Sequence, residues 1–355
     1  MKDTKQTEKR KIEHIEIVTT KDTQYRHLTT LFEYVEVMPS GKRLDKNEID
    51  IKTEFLGKEI SAPLFISGMT GGHRLVLEIN KDIAVAAGRL GIPMGVGSQR
   101  AMIEDKSLAY TYDVKKFAKN IILIGNIGAS RLIKYSDSTI EEALARINAD
   151  AIAVHTNPGQ ESVQPEGDID FTGAYERICE FAKNIGKPVI LKEVGNGISK
   201  EVASMFNKKV YALDVQGAGG TTWIGIELYR SKSKEGAVFW DWGIPTALSL
   251  IESLSAFKGY VLASGGIRKG SDVLKSIALG AQLAGFAQPV LIAQHKLGSK
   301  GVYDYVSNIE DELKSEMARL GFSNIIELKK AKIKLMEPLK SVLAQRGIRL
   351  SSRFV

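Results

Sequence analysis

The chain has 355 residues, long enough for about two domains or for one large α/β barrel with extensions. Its 43% hydrophobic and 26% charged residues exclude a largely disordered protein, and a single cysteine, Cys179, excludes a disulfide framework or a multi-cysteine metal site. Forty-nine Lys and Arg against 42 Asp and Glu leave a net charge of +7, which favours anionic partners such as phosphates.

Residues 1–59 form an N-terminal extension. It opens on MKDTKQTEKRKIEH, which lacks the apolar core of a secretory signal, and contains a strand-like segment, LFEYVEVMP. Eight short apolar runs follow: Pro63–Gly68, Pro93–Gly97, Ile121–Gly125, Ala151–His155, Pro188–Lys192, Val210–Val215, Tyr260–Ser264 and Leu283–Ala287. Continuous apolar runs that end in glycine-rich turns read as buried parallel strands. Amphipathic stretches such as LVLEINKDIAVAAGRLG, AYERICEFAKNIG and SDVLKSIALGA lie between them. Strand–helix alternation implies parallel crossovers, and eight units predict an α/β fold of the (β/α)8 TIM barrel class over about 60–295. An open doubly wound sheet would need exposed edges, and no run is marked as one. The charged insertion Arg230–Trp242 reads as a lid-like or disordered loop after the sixth strand. Residues 296–355 read as a helical extension packed on the barrel, so 1–355 is expected to form one domain. High Lys and Glu content hints at a thermophile.

Barrel chemistry sits at the C-terminal strand ends. There the seventh turn, SGGIRKG, offers free backbone N–H groups before a helix, and it predicts a phosphate site with Arg268. SGMTGG and QGAGGT add two more glycine loops, so a large flat ligand is expected, and flavin mononucleotide (FMN) fits. Lys192, at the end of strand five, would stabilise negative charge at the ring; a buried lysine paired with a carboxylate is the plainer reading. VHTNPGQESVQPEGD crowds His155, Asn157, Gln160, Glu161 and Gln164 at one strand end. Glu161 suits Mg²⁺, which takes one or two carboxylates plus phosphate oxygens; a solvated carboxylate is its alternative. GVGSQR delivers Ser98, Gln99 and Arg100 to a phosphate. Arg10 and Lys11 alone read as a solvated tail. Glu227, in the apolar TTWIGIELYR, is expected either to be a proton relay with a raised pKa or to pair with Arg230.

Taken together, SGMTGG, MGVGSQR, GNIG, H-x-N-P-x-Q-E, QPEGD, KEVGNGIS, GAGGTTW, WGIPT and SGGIRKG resemble the type 2 isopentenyl-diphosphate isomerases over nearly the whole chain. The resemblance implies FMN contacts at Ser67, Gly68, Met69, Thr70, Ser98, Asn126, Lys192 and Thr221. It implies a phosphate end at Gly266, Ile267, Arg268, Ala287 and Gln288. It further implies substrate diphosphate at Arg10, Lys11, Ser98, Gln99, Arg100 and Gln160, with Mg²⁺ on Glu161. Gln216 and Gly159 depart from the family wording; Gln216 leaves a flavin contact there open. The basic pair Arg10–Lys11 would reach a site within the chain or in a neighbouring subunit.

The expectation is thus an isomerase of isopentenyl and dimethylallyl diphosphate that uses reduced FMN and Mg²⁺, with NAD(P)H reducing the flavin. Asn157 joins the substrate residues, and His155, Gln160 and Glu227 are the candidates for proton handling. An FMN-dependent 2-hydroxy-acid oxidase with His155 as base is the rival, and a phosphate-binding barrel without chemistry is a third reading. No basic stripe with interleaved aromatics suggests nucleic acid, and no apolar run approaches the ~20 residues of a membrane span. A cytoplasmic homo-oligomer, tetramer or octamer, is expected.

Overall fold

The computed structural model describes residues 2–231 and 235–355. The N-terminal extension carries β1 (Val35–Val37) and a hairpin of β2 (Thr53–Phe55) and β3 (Lys58–Ile60). Eight parallel strands then close into a barrel: β4 (Leu64–Ile66), β5 (Met94–Gly95), β6 (Leu123–Gly128), β7 (Ala151–His155), β8 (Val189–Lys192), β9 (Ala212–Asp214), β10 (Tyr260–Ser264) and β11 (Leu283–Phe286). Ala284 of β11 pairs with Leu64 of β4, which closes the ring. The predicted fold class therefore holds, and every strand falls on its expected apolar run. One boundary differs. The third strand was expected to end at Gly125, but β6 stays paired to β7 and fully buried through Gly128.

The barrel interior is a filled core, as closed eight-stranded barrels require. Phe65, Ile124, Ala153, Ile190, Leu262 and Leu283 meet inside it, and Phe55 and Ile60 of the hairpin join them. Those two hairpin side chains pack below the strand starts, so the open C-terminal ends are left for chemistry. The outer helices bury their apolar stripes on the strands; Ile178 and Phe181 of the Ala174–Asn184 helix are fully buried. The helix Leu77–Leu90 stops at Gly91, whose φ of +66° is the left-handed conformation that glycine adopts at little cost.

The two extensions meet. β1 pairs antiparallel with β12 (Ile333–Leu335), Val35 lying opposite Leu335. The Gln288–Leu320 helix runs across the expected boundary at residue 296 and kinks at Leu297 and Gly298. Among the described residues no helix is long and apolar enough to cross a membrane.

Candidate active site

The N-terminal helix Lys2–Thr20 decides the shape of the site. Its Arg10, Lys11, His14, Ile15 and Val18 recur at helical spacing and face the strand ends. His14 Nε2 lies 2.8 Å from Glu227 Oε1. Lys11 Nζ donates to the Gly71 carbonyl and lies 3.3 Å from the Tyr112 hydroxyl, which itself donates to the Ser98 carbonyl at 2.7 Å. Arg10 pairs with Glu166 at 3.6 Å. The basic pair is therefore no solvated tail; within the chain it reaches the strand ends of its own barrel.

Two connected clefts open above the barrel. The first is largely apolar, with Ile15, Val18, Val194, Ile226 and Leu291 on its walls, and it ends at Gly265, Gly266, Arg268, Ala287 and Gln288. The second is polar and holds Arg10, Ser98, Arg100, Asn126, His155, Asn157, Gln160, Glu161 and Lys192. Lys11, His14, Met69, Thr70, Val194 and Trp223 line both. His14 and Trp223 meet edge to face at 5.1 Å.

The anionic end of the first cleft can be tested on its hydrogen bonds. Gln288 Oε1 accepts from Gln24 Nε2 (2.5 Å), Thr221 Oγ1 (2.7 Å) and Arg268 Nη2 (3.1 Å). A carbonyl oxygen has two lone pairs, so three donors exceed its capacity. Among the described residues Arg268 has no ion-pair partner; it donates only to Ile267 O, Gln24 Oε1 and Gln288 Oε1. A surplus of donors around a guanidinium without a direct ion pair, beside a helix start, suits a bound phosphate. These residues fit the phosphate of FMN. Thr221 points its hydroxyl at the same oxygen.

Some expected residues do not present their side chains to the clefts. Gln99 is 2% exposed and turned into the wall, where its amide accepts from Asn126 N (3.0 Å) and donates to Ala143 O (3.1 Å). Both ends are satisfied there, so Gln99 holds the wall rather than facing a phosphate. The Ile267 side chain is fully buried in the outer core, which leaves only its backbone for the turn. Ser67 accepts from Gln216 Nε2 at 3.0 Å in the barrel interior and is buried. Gln216 sits on the first cleft's wall at a φ of +38°. Gly159 is fitted to this chain: a Cβ there would lie 3.0 Å from the Trp242 ring and 2.8 Å from Asn196 Oδ1.

The charges are set by burial and partners. Burial, then the Lys192 charge, hold His155 down at about 3, so its ring is neutral; Nδ1 lies 2.7 Å from Asn126 Oδ1. Burial lowers the pKa of Lys192, with Asp214 and Glu193 opposing. Burial also lifts Glu193 to about 7, although its Oε2 accepts from Val194 N (2.6 Å) and Asn196 N (2.8 Å). Of the two expectations for Glu227, pairing with Arg230 is the one the structure shows, and the raised pKa is reversed. Burial pushes it up, but His14, Arg230 and Gln160 together outweigh burial and hold it at about 2. Arg230 Nε donates to it at 2.7 Å and Gln160 Nε2 at 3.0 Å.

Among the described residues no cluster of three His, Cys, Asp or Glu side chains could hold a metal alone. Glu161 accepts from Asn157 Nδ2 (2.9 Å) and Asp168 N (2.7 Å) on the polar cleft. One fixed carboxylate plus phosphate oxygens and water is a donor set that Mg²⁺ accepts.

Several site residues escape a reading of the sequence. Arg131 lines the polar cleft and has no ion pair among the described residues. Its signal was the true end of β6, three residues beyond the expected one, which brings Gly128–Arg131 to the rim. The expected loop at Arg230–Trp242 is divided. Residues 232–234 lie outside the described residues. Beyond them Trp240 is buried, with Nε1 donating to Gln24 O at 2.9 Å, and Asp241 Oδ1 accepts from Arg26 N at 2.7 Å. That end is strapped to the N-terminal segment rather than standing off as a lid.

Comparison with known proteins agrees with this geometry. The sequence matches the FMN-dependent dehydrogenase family over residues 4–112 and 138–335. Isopentenyl-diphosphate delta-isomerase of Pyrococcus furiosus is 43% identical over 351 residues, covering 95% of this chain and 89% of that protein. The Methanothermobacter thermautotrophicus protein of the same name is 42% identical, covering 95% and 96%. Among solved structures, a flavocytochrome b2 mutant with pyruvate bound superposes with a TM-score of 0.69 at 21% identity, covering 98% of this chain and 90% of that one. A mandelate oxidase mutant with an FMN adduct gives 0.64 at 18%, covering 94% and 100%, and at this identity both show the shared fold alone. With the relatives above 40% identical over nearly their full length, the chain belongs to the isopentenyl-diphosphate delta-isomerases within the FMN-dependent dehydrogenase family.

Proposed function

We propose that the protein interconverts isopentenyl diphosphate and dimethylallyl diphosphate, with reduced FMN in the first cleft and a Mg²⁺-bound diphosphate in the second. The observation that carries this reading is the pair of clefts. One ends at Arg268 and Gln288 and the other at Arg10, Arg100 and Arg131, and an apolar wall with Trp223 joins them. Such an arrangement suits two anionic ligands whose uncharged parts meet in the middle. The isomerisation adds one proton to the terminal methylene carbon and removes another from the carbon beside the diphosphate-bearing one. Protonation develops positive charge at the tertiary carbon between them, so the pocket must exclude water that would capture it. Bound reduced flavin would supply an electron-rich, anionic surface beside the developing positive charge.

The chain's own groups have distinct tasks in this reading. Arg10, Lys11 and Arg100 take the diphosphate, with Ser98 and Asn157 beside them. Glu161 places Mg²⁺ on the phosphate oxygens. Gln160 bridges the diphosphate side and Glu227. Lys192, Gly68 and Asn126 on the second cleft, with Met69 and Thr70 shared by both clefts, would hold the flavin ring where the two clefts join, and Lys192 would stabilise negative charge on it. The rest of the proposal is a single domain, a cytoplasmic homo-oligomer and NAD(P)H as flavin reductant.

The test is anaerobic. Protein saturated with oxidised FMN should be inactive, and dithionite or NAD(P)H should start turnover with no net consumption of reductant per product. Equal activity of apoprotein would overturn the reading. The rival 2-hydroxy-acid oxidase needs a competent histidine base. A ring whose conjugate acid has a pKa of about 3 is a weak base at neutral pH, which weighs against His155 in that role.

Glu161→Gln carries a separate expectation. The metal concentration for half-maximal rate should rise about tenfold or more while FMN content stays constant. An unchanged metal requirement would remove Glu161 from the Mg²⁺ site.

A further inference from the structure

The cofactor-phosphate residues are held by a side chain from outside the barrel. Gln24 follows the N-terminal helix. Its Nε2 donates to Gln288 Oε1 at 2.5 Å, and its Oε1 accepts from Arg268 Nη2 at 3.1 Å. Thr23 supports it, its hydroxyl accepting from Gln288 Nε2 at 3.0 Å. The backbone beneath is fixed on both sides. Tyr25 N donates to Gly220 O and Thr222 N to Thr23 O, both at 2.9 Å, and Gln24 O accepts from Trp240 Nε1.

We propose that Gln24 is a positioning residue for the cofactor phosphate, presenting Arg268 and Gln288 to it, so that the N-terminal extension forms one wall of the flavin site. The inference rests on FMN occupying the first cleft. Three observations carry it. Gln288 Oε1 has one donor too many, so a phosphate oxygen can relieve it without breaking the other two bonds. Arg268 keeps two N–H groups without acceptors among the described residues while Gln24 and Gln288 fix its Nη2. A neutral amide orients the guanidinium without cancelling its charge, whereas a carboxylate in the same place would compete with the phosphate.

The experiment titrates apoprotein with FMN and, separately, with riboflavin, which lacks the phosphate, following flavin fluorescence. Wild type should bind FMN far more tightly than riboflavin. Gln24→Ala should raise the Kd for FMN about tenfold and leave that for riboflavin within about twofold. Gln24→Glu keeps the shape of the side chain and should raise the FMN Kd about a hundredfold, because the new carboxylate pairs with Arg268 and repels the phosphate. If both variants hold FMN as wild type does, the inference is overturned. If FMN and riboflavin weaken together, Gln24 is structural, and the inference is likewise overturned. A wild type that does not distinguish FMN from riboflavin would instead overturn the placement of the phosphate at Arg268.

Discussion

Replacing Arg10 and Lys11 together by alanine is expected to raise the KM for isopentenyl diphosphate about a thousandfold. A hydrogen bond to a charged group contributes about 1.5–3 kcal/mol, and each factor of ten is about 1.4 kcal/mol. Two such groups on one diphosphate therefore account for an effect of that size. Turnover at saturation should change less than about tenfold, since neither side chain is placed at the carbons that exchange protons. FMN content should hold, because the phosphate end at Arg268 and Gln288 is held by Gln24 and Thr221 rather than by the basic pair. The KM of the wild type should also rise with salt, and that of the double variant much less, because screening acts on the charges that were removed. Anaerobic steady-state kinetics with reduced FMN measures all of this. An unchanged KM would take the pair out of the site despite its position over the polar cleft.

That position was the least legible part of the molecule. The barrel was readable because each strand is a short apolar run ended by glycine, and the pattern repeats eight times. The turn proposed to take the phosphate stood out because SGGIRKG combines glycines, an arginine and a helix start in seven residues. The N-terminal helix has no comparable local signature. Its stripe of Lys11, His14, Ile15 and Val18 is half polar, because it faces a ligand cleft rather than a core. Its anchor, His14 to Glu227, joins positions 213 apart, and Gln24 meets Gln288 across 264. Pairing at such separations has no periodicity to betray it. Gln99 misled for the opposite reason: it sits between two residues of a ligand-binding motif, yet its amide is spent inside the wall.

The second large effect is expected at Glu227, and pH separates its two readings. The sequence shows a carboxylate among apolar neighbours, which suggests a raised pKa. The fold gives it the neighbouring Arg230, the partner the sequence also offers, and adds His14 and Gln160 from distant parts of the chain. A folded pKa of about 2 against an ordinary 4.5 means that the carboxylate stabilises the protein once ionised. The contribution, about 3 kcal/mol, is complete above about pH 4.5 and disappears as pH falls toward 2. Glu227→Gln should therefore lower stability by about that amount at pH 7, about 5 °C in melting temperature for a chain of this size. The gap between variant and wild type should close as the solution is acidified through that window. At neutral pH the group has no proton to give, so its use is to hold His14 and Gln160 at the polar cleft. Turnover per folded molecule should then stay within about tenfold while the KM rises. A relay would behave otherwise. It would lose about a hundredfold in turnover with the melting temperature and its acid dependence unchanged, and that outcome would restore Glu227 as a proton carrier.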